Sequence, residues 1–164
     1  MKNSIDKQTE QCVVSTHNQD SHTPIPVKIL ALDFDRLKHK TTGTCNAEMS
    51  LEEWDATEIE YRRFLALKVF YPGLSLIPSK QVTKLWHAHI LDTRAYREDC
   101  GKVFGRFIDH YPYFGIYGKE DYQALQIRFA HTIELYERHF GPYPRASYTL
   151  ANRRQNDVCQ EVAQ

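Results

Sequence analysis

The chain has 164 residues with 41% hydrophobic and 12% aromatic side chains, a composition that predicts one globular domain of ordinary size. Lys plus Arg and Asp plus Glu each total 21, so a formal net charge of zero offers no general attraction for nucleic acid or an anionic membrane. No apolar run approaches the ~18 residues of a transmembrane helix, the amino terminus lacks the apolar core of a signal peptide, and the four cysteines form no CxxC pair. We therefore expect a cytoplasmic protein with reduced thiols and no membrane partner.

The first predicted elements follow a polar segment. Residues 1–23 are rich in Gln, Asn, Ser and Thr, which predicts a flexible tail. Crowded apolar positions then favour a short helix over residues 34–40, which Asp33 can cap. The capping box Ser50-Leu51-Glu52-Glu53 predicts the start of a longer helix that runs to about Tyr71. The cationic side chains expected on the outer face of this helix are Arg62, Arg63 and Lys68.

The middle of the chain predicts a helix with a possible break. Ser79 caps its start, and the helix can reach Cys100, because Gly101 follows. Asp92 can instead cap a second helix, which would leave a kink between the two. Gly105 then interrupts the pattern.

The carboxyl-terminal part combines a loop, a helix and a tail. Residues 107–118 are aromatic and loop-like, and apolar residues at helical spacing predict a last helix from about Glu120 to Phe140. Residues 145–164 predict a polar tail. No segment alternates with the period of a strand, so we expect an all-α fold. The prediction is a compact bundle of four to six helices, forming one domain over residues 24–144 between flexible polar termini.

The stretch from residue 85 to 112 holds three of the eight histidines. On a helix, His89 shares the apolar face with Trp86, Tyr96 and Cys100. His87 lies two residues away and points about 200° around the axis. On a regular helix the two histidines therefore cannot hold one ion side by side.

A metal site in this stretch needs a histidine from the helix and ligands from elsewhere. His110, on the loop that returns after the helix, is the first candidate. Further ligands can come from the last helix or from nearby side chains: His131, His139, Asp92, Asp99, Asp109 or Cys100. Alternatively, a helix broken near His89 would let both helical imidazoles converge. Neutral imidazole binds several transition metals, so the ligands do not choose the ion, although we expect zinc or iron. The predicted ligands are His87, His89, His110 and Cys100. The predicted lining residues are Trp86, Asp92 and Tyr96. No reaction follows from these residues; a catalytic ion would activate water or oxygen at an open position.

Three alternatives remain open at this point. The histidines can be structural, in which case the bundle is a non-catalytic protein-interaction module. Cys100 and His110 can form a hydrolase dyad that Asp109 or Asp92 orients. An RNA-binding module is a further alternative, but no basic block or RNA-binding strand motif supports it, so we expect no nucleic-acid partner.

Several motifs resemble the glycine-rich domain protein-like family, over about residues 27–142. They are YRRFL from Tyr61, YPG from Tyr71, Pro78-Ser79, and WHAHILDTRAYREDC followed by FGRFIDHYP. The resemblance implies a relative of the amino-terminal helical region of plant glycine-rich domain proteins, like the short bacterial members that lack the glycine-rich tail. It implies no enzymatic activity, and the RNA-binding role suggested for plant members is only an expectation. The family pattern often has an aspartate four residues before the first histidine, where this chain has Thr83.

Overall fold

The computed structural model describes residues 22–43 and 47–144, which contain six helices and no β-strand. The helices are α1 (Val27–Leu30), α2 (Asp35–Thr42), α3 (Leu51–Phe70), α4 (Lys80–Leu91), α5 (Thr93–Phe104) and α6 (Lys119–Phe140). The predicted all-α bundle is confirmed. None of the helices in the described part of the chain is long and apolar enough to cross a membrane.

Helix α3 is the centre of the bundle. It packs against α1, α2, α4 and α6, while α4 also contacts α2 and α5. The capping box predicted at its start is present, because Ser50 Oγ accepts from the Glu53 amide at 3.1 Å and Glu53 Oε2 accepts from the Ser50 amide at 2.9 Å. Three side chains at or near the α3–α4 contact are fully buried: Trp54, Tyr61 and Leu85. Apolar burial therefore holds these two helices together.

The expectation that three cations of α3 face solvent is wrong. The Arg62 guanidinium donates to the carbonyl oxygens of Ile29 and Leu32 and to the Glu58 carboxylate, which ties the α1 segment to α3. Arg63 pairs with Glu60 and donates to a tyrosine of α6. Lys68 is half-buried over aromatic rings. The long stems of these side chains let neighbouring elements pack over them.

Side-chain oxygens cap α4 and α5, and an aspartate bonds to the first amide of α2. Asp33 Oδ1 accepts from the Asp35 amide at 2.9 Å at the beginning of α2. Ser79 Oγ accepts from the Val82 amide at 3.2 Å, and Asp92 Oδ1 accepts from the Ala95 amide at 3.3 Å. Asp92 therefore begins a second helix, which is the kinked alternative of the prediction. Helix α5 does not stop at Cys100 but ends at Gly105, whose φ of 69° is the left-handed conformation that glycine tolerates.

The predicted tails lie mostly outside the described residues, which leave out 1–21 and 145–164. Thr23, the last residue of the predicted amino-terminal tail, is attached to the end of α6. Its amide donates to the His139 carbonyl at 2.7 Å, and its hydroxyl lies 2.8 Å from His139 Nδ1. Because Tyr71 Oη lies 2.8 Å from His139 Nε2, both ring nitrogens of this histidine are engaged in holding the fold together.

Candidate metal centre

His87 and His110 meet at the surface of the bundle. His87 projects from the exposed side of α4, and His110 comes from the loop between α5 and α6. Their Nε2 atoms are 3.2 Å apart, with ring centroids at 4.5 Å and an interplanar angle of 89°. The structure thus brings together two of the three histidines of the stretch, through a contact that spans 23 residues of sequence.

Trp86 and Tyr96, which were predicted to line the site, hold the loop that carries His110. The Tyr96 hydroxyl donates to the Ile108 carbonyl at 2.6 Å and accepts from Trp86 Nε1 at 3.0 Å. The edge of the Trp86 indole also packs against the His110 ring, at a centroid distance of 4.8 Å. This buried network joins α4, α5 and the loop, so it fixes the position of His110 opposite His87.

The surroundings of the pair favour neutral imidazoles. Burial lowers the pKa of His87 below its ordinary value. Burial also lowers the pKa of His110, and the nearby His87 and Lys68 lower it further. A neutral ring has a free lone pair on one nitrogen, which is the form that binds a metal ion.

His89 points into the core, on the other side of α4. The residue is only 3% exposed, its Nδ1 lies 2.9 Å from the Tyr61 hydroxyl, and its ring is edge-on to Phe34 and Tyr96. Its Nε2 lies 3.3 Å from Asp99 Oδ2, but the direction is poor and this nitrogen makes no hydrogen bond with the described residues. Burial lowers the pKa of His89, although Asp99 partly opposes the effect.

The opposed orientation of His87 and His89 on α4 is therefore as the residue count predicts. Helix α4 continues through His89 to Leu91, so the alternative in which a break at His89 lets both imidazoles converge is wrong. The sequence suggested Asp99 only as one of several carboxylates near the site, and it gave no sign that Tyr61, 28 residues away, would bond to His89.

The other candidate ligands have different partners from those of the histidine pair. Cys100 is 2% exposed beside Tyr96, and burial raises the pKa of its thiol, which disfavours the thiolate that a metal or a hydrolase dyad requires. The Asp92 carboxylate caps α5. Among residues 22–43 and 47–144, no three His, Cys, Asp or Glu side chains are grouped to hold a metal ion.

Two cavities adjoin the histidine pair. The larger, which we call the histidine cavity, has a volume of about 520 Å³, and the second measures about 430 Å³. Both are lined by His87, Asp109 and His110, so the pair stands between them. Sequence reasoning missed two cations that line the histidine cavity, Lys68 and Arg128, because no local pattern indicates that the loops fold against α3 and α6 at these positions.

These features define a helical domain with a histidine pair between two cavities. The chain belongs to the UCP032817-like family, whose profile matches residues 28–140 and so includes both histidines. No curated protein and no solved structure matches the chain. The resemblance to glycine-rich domain proteins is not tested by this family match and stays a prediction.

Proposed function

We propose that His87 and His110 bind a divalent transition-metal ion, zinc or iron, through their Nε2 atoms. The observation that supports this function is the 3.2 Å separation of these two atoms. Two imidazole nitrogens at about 2.0–2.1 Å from a tetrahedral ion lie about 3.3 Å apart, so the pair needs little rearrangement to share an ion. The alternative use of this geometry is a hydrogen bond between two neutral rings, which metal titration distinguishes.

The proposed site is open. Only two protein ligands converge, whereas zinc enzymes usually supply three and leave the fourth position to water or substrate. Water or a small molecule in the adjoining cavities would complete the coordination, and the bound ion would supply a Lewis acid there. The proposal names no reaction. It leaves out His89 and Cys100, since His89 is buried with its Nδ1 bonded to Tyr61 and Cys100 is a buried thiol.

Position 83 offers a direct way to strengthen the site. Thr83 lies one helical turn before His87 on α4 and lines the histidine cavity, where its hydroxyl donates to the Ser79 carbonyl at 2.8 Å. Side chains four residues apart on a helix are neighbours, so an aspartate at position 83 would stand beside His87 as a third ligand. It is also the residue that the resemblance leads one to expect at this place.

Titration of the metal-free protein with Zn²⁺ and Co²⁺ by calorimetry tests the proposal. We expect one ion per chain, with His87→Ala and His110→Ala each weakening the affinity by about tenfold or more, because each leaves a single imidazole. Thr83→Asp should strengthen binding by about tenfold or more. His131→Ala, at an exposed position of α6, is the matched control and should bind like the wild type. Wild-type protein that binds no better than the His87→Ala/His110→Ala double variant contradicts the proposal.

A protein-interaction module is the second candidate, and exposed aromatic side chains favour it. Tyr111 is 65% exposed and Tyr117 is 70% exposed in the loop before α6. Such rings are frequent in protein interfaces. If this is the only function, added metal should leave the melting temperature of the wild-type protein unchanged, whereas a metal bound to the native state raises it.

A further inference from the structure

The charged side chains that line the histidine cavity are mainly cationic. Lys68 from α3 and Arg128 from α6 both line it, and Asp109 is the one acidic side chain among its described lining residues. With neutral histidines, the charged groups of this lining sum to a positive value, and a bound divalent ion would add to it. The potential inside therefore favours an anionic occupant.

Lys68 has no carboxylate partner. It forms no ion pair with the residues that the structure describes, and its Nζ lies 5.3 Å from the Trp86 ring centroid and 5.4 Å from that of Phe64. Burial lowers the pKa of this ammonium, and the nearby Arg106 lowers it further. A cation that has lost water without gaining a carboxylate is unfavourable, and an anion in the cavity would compensate for this.

Lys68 is also close to the histidine pair. Trp86 contacts both. The Lys68 ammonium lies over the Trp86 ring, and the same ring packs edge-on with the His110 ring at a centroid distance of 4.8 Å. An anion beside Lys68 would therefore lie next to the proposed metal position.

The remaining wall is largely apolar. Its side chains include Leu76, Ile77, Pro78 and Leu125, together with Phe114, whose ring lies 4.8 Å from the Arg128 guanidinium carbon. Single cations set in an apolar wall suit one carboxylate on an apolar body. A phosphate, in contrast, is usually held by several convergent donors. The volume of about 520 Å³ is in the range that small organic ligands occupy.

We infer that the histidine cavity binds a small organic carboxylate, with its anionic group between Lys68 and the His87–His110 pair and its apolar body against the wall near Leu125. The inference rests on the proposed function for one part only, in which the carboxylate completes the coordination of the metal ion. The contribution of Lys68 does not require the ion, so the two can be tested apart.

Calorimetric titration with benzoate and with its uncharged analogue benzamide tests the inference, on both metal-free and zinc-loaded protein. Benzoate should bind at least about tenfold more tightly than benzamide, because only the carboxylate meets the ammonium. Lys68→Met keeps the apolar stem and should weaken benzoate binding by about tenfold or more. The zinc affinity of this variant in the absence of benzoate should not fall. Lys84→Met, at an exposed position of α4 that does not line the cavity, is the matched control and should change nothing.

Several results would overturn the inference. They are equal binding of benzoate and benzamide, benzoate binding that Lys68→Met leaves intact, or inorganic phosphate binding more tightly than benzoate in a Lys68-dependent way.

If circular dichroism shows that Lys68→Met does not fold, Arg128→Met replaces it and should weaken benzoate binding at least threefold. If the protein binds no zinc but its metal-free form binds benzoate in a Lys68-dependent way, the proposed function is wrong and the carboxylate site is retained. If the protein binds zinc but shows no preference for benzoate, the carboxylate site is wrong and the proposed function is retained.

Discussion

His89 is a structural histidine, in contrast to His87 and His110, which we propose bind a metal ion. Its ring lies between the Tyr61 hydroxyl and the Asp99 carboxylate and is almost fully buried. We expect His89→Ala to lower the free energy of unfolding by roughly 2–4 kcal/mol, because it creates a cavity and leaves buried polar groups without a partner. Tyr61→Phe should cost about 1 kcal/mol through loss of one hydrogen bond.

Urea unfolding measures both changes. The folded His89→Ala protein should retain the zinc affinity of the wild type, which separates it from His110→Ala. A His89→Ala variant that is as stable as the wild type but has lost zinc binding would show that this histidine, not the pair, carries the metal.

At the residue scale, the sequence predicted the side of α4 from which each histidine projects better than it predicted the residues that each histidine contacts. Counting along a helix places His87 and His89 on opposite faces, and this holds because α4 is regular over both residues. The contacts of His89 with Tyr61 of α3 and Asp99 of α5 depend on tertiary packing and have no local signal. Lys68 was assigned to the outer face for the same reason, since the helical count cannot show that its ammonium lies over the Trp86 ring and lines a cavity.

At the scale of the elements, the Asp92 carboxylate separates α4 from α5. Asp92 was predicted to line a metal site, whereas its contact in the structure is with the Ala95 amide at the start of α5. We expect Asp92→Ala to lower the free energy of unfolding by about 1 kcal/mol, and Asp92→Asn, which can still accept the amide proton, to cost less. Urea unfolding of the three proteins measures the difference. Equal losses for both substitutions would mean that the negative charge, and not the cap, is what matters.

The helix boundaries were largely predictable because short side-chain signals define them. Ser50, Ser79 and Asp92 all cap the helices that the sequence assigned to them. The end of α5 was misplaced at Gly101 because a glycine does not by itself stop a helix. An added Cβ at Gly101 would meet nothing within 4 Å, and the chain continues helically until Gly105 adopts a positive φ.

At the scale of the whole molecule, the histidines should make stability depend on pH. Burial lowers the pKa of His87, His89 and His110 below the ordinary value of 6.5. Between these lowered values and 6.5 the unfolded chain binds more protons than the native protein, so the free energy of unfolding falls as the pH falls through this window. The stabilisation is fully present above the unfolded pKa.

We therefore expect the melting temperature of the metal-free protein to fall between pH 7.5 and pH 5.5. The His87→Gln/His110→Gln variant should lose less over the same range, because two of the groups that take up protons on unfolding are gone. A melting temperature that rises as the pH is lowered over this range, or an unchanged slope in the variant, would contradict this electrostatic interpretation.

The whole-molecule feature that the sequence could not predict is the pair of cavities. Their walls come from the loop after α3, the loop after α5 and side chains of α3, α4, α5 and α6, which meet only in the folded bundle. The helical class followed from periodicity and caps, but the cationic charge in the lining of the histidine cavity depends on residues 60 positions apart, Lys68 and Arg128.

X-ray absorption spectroscopy of the zinc-loaded protein is the sharpest test of metal binding by His87 and His110, because it counts the ligands and identifies their elements. We expect scattering from two imidazoles, a first shell of nitrogen and oxygen at about 2.0–2.1 Å, and no sulfur at about 2.3 Å. His110→Ala should reduce the imidazole contribution to that of one ring. A sulfur shell would place a cysteine on the metal, and zinc bound without imidazole scattering would exclude the His87–His110 pair; either result would contradict the proposed site.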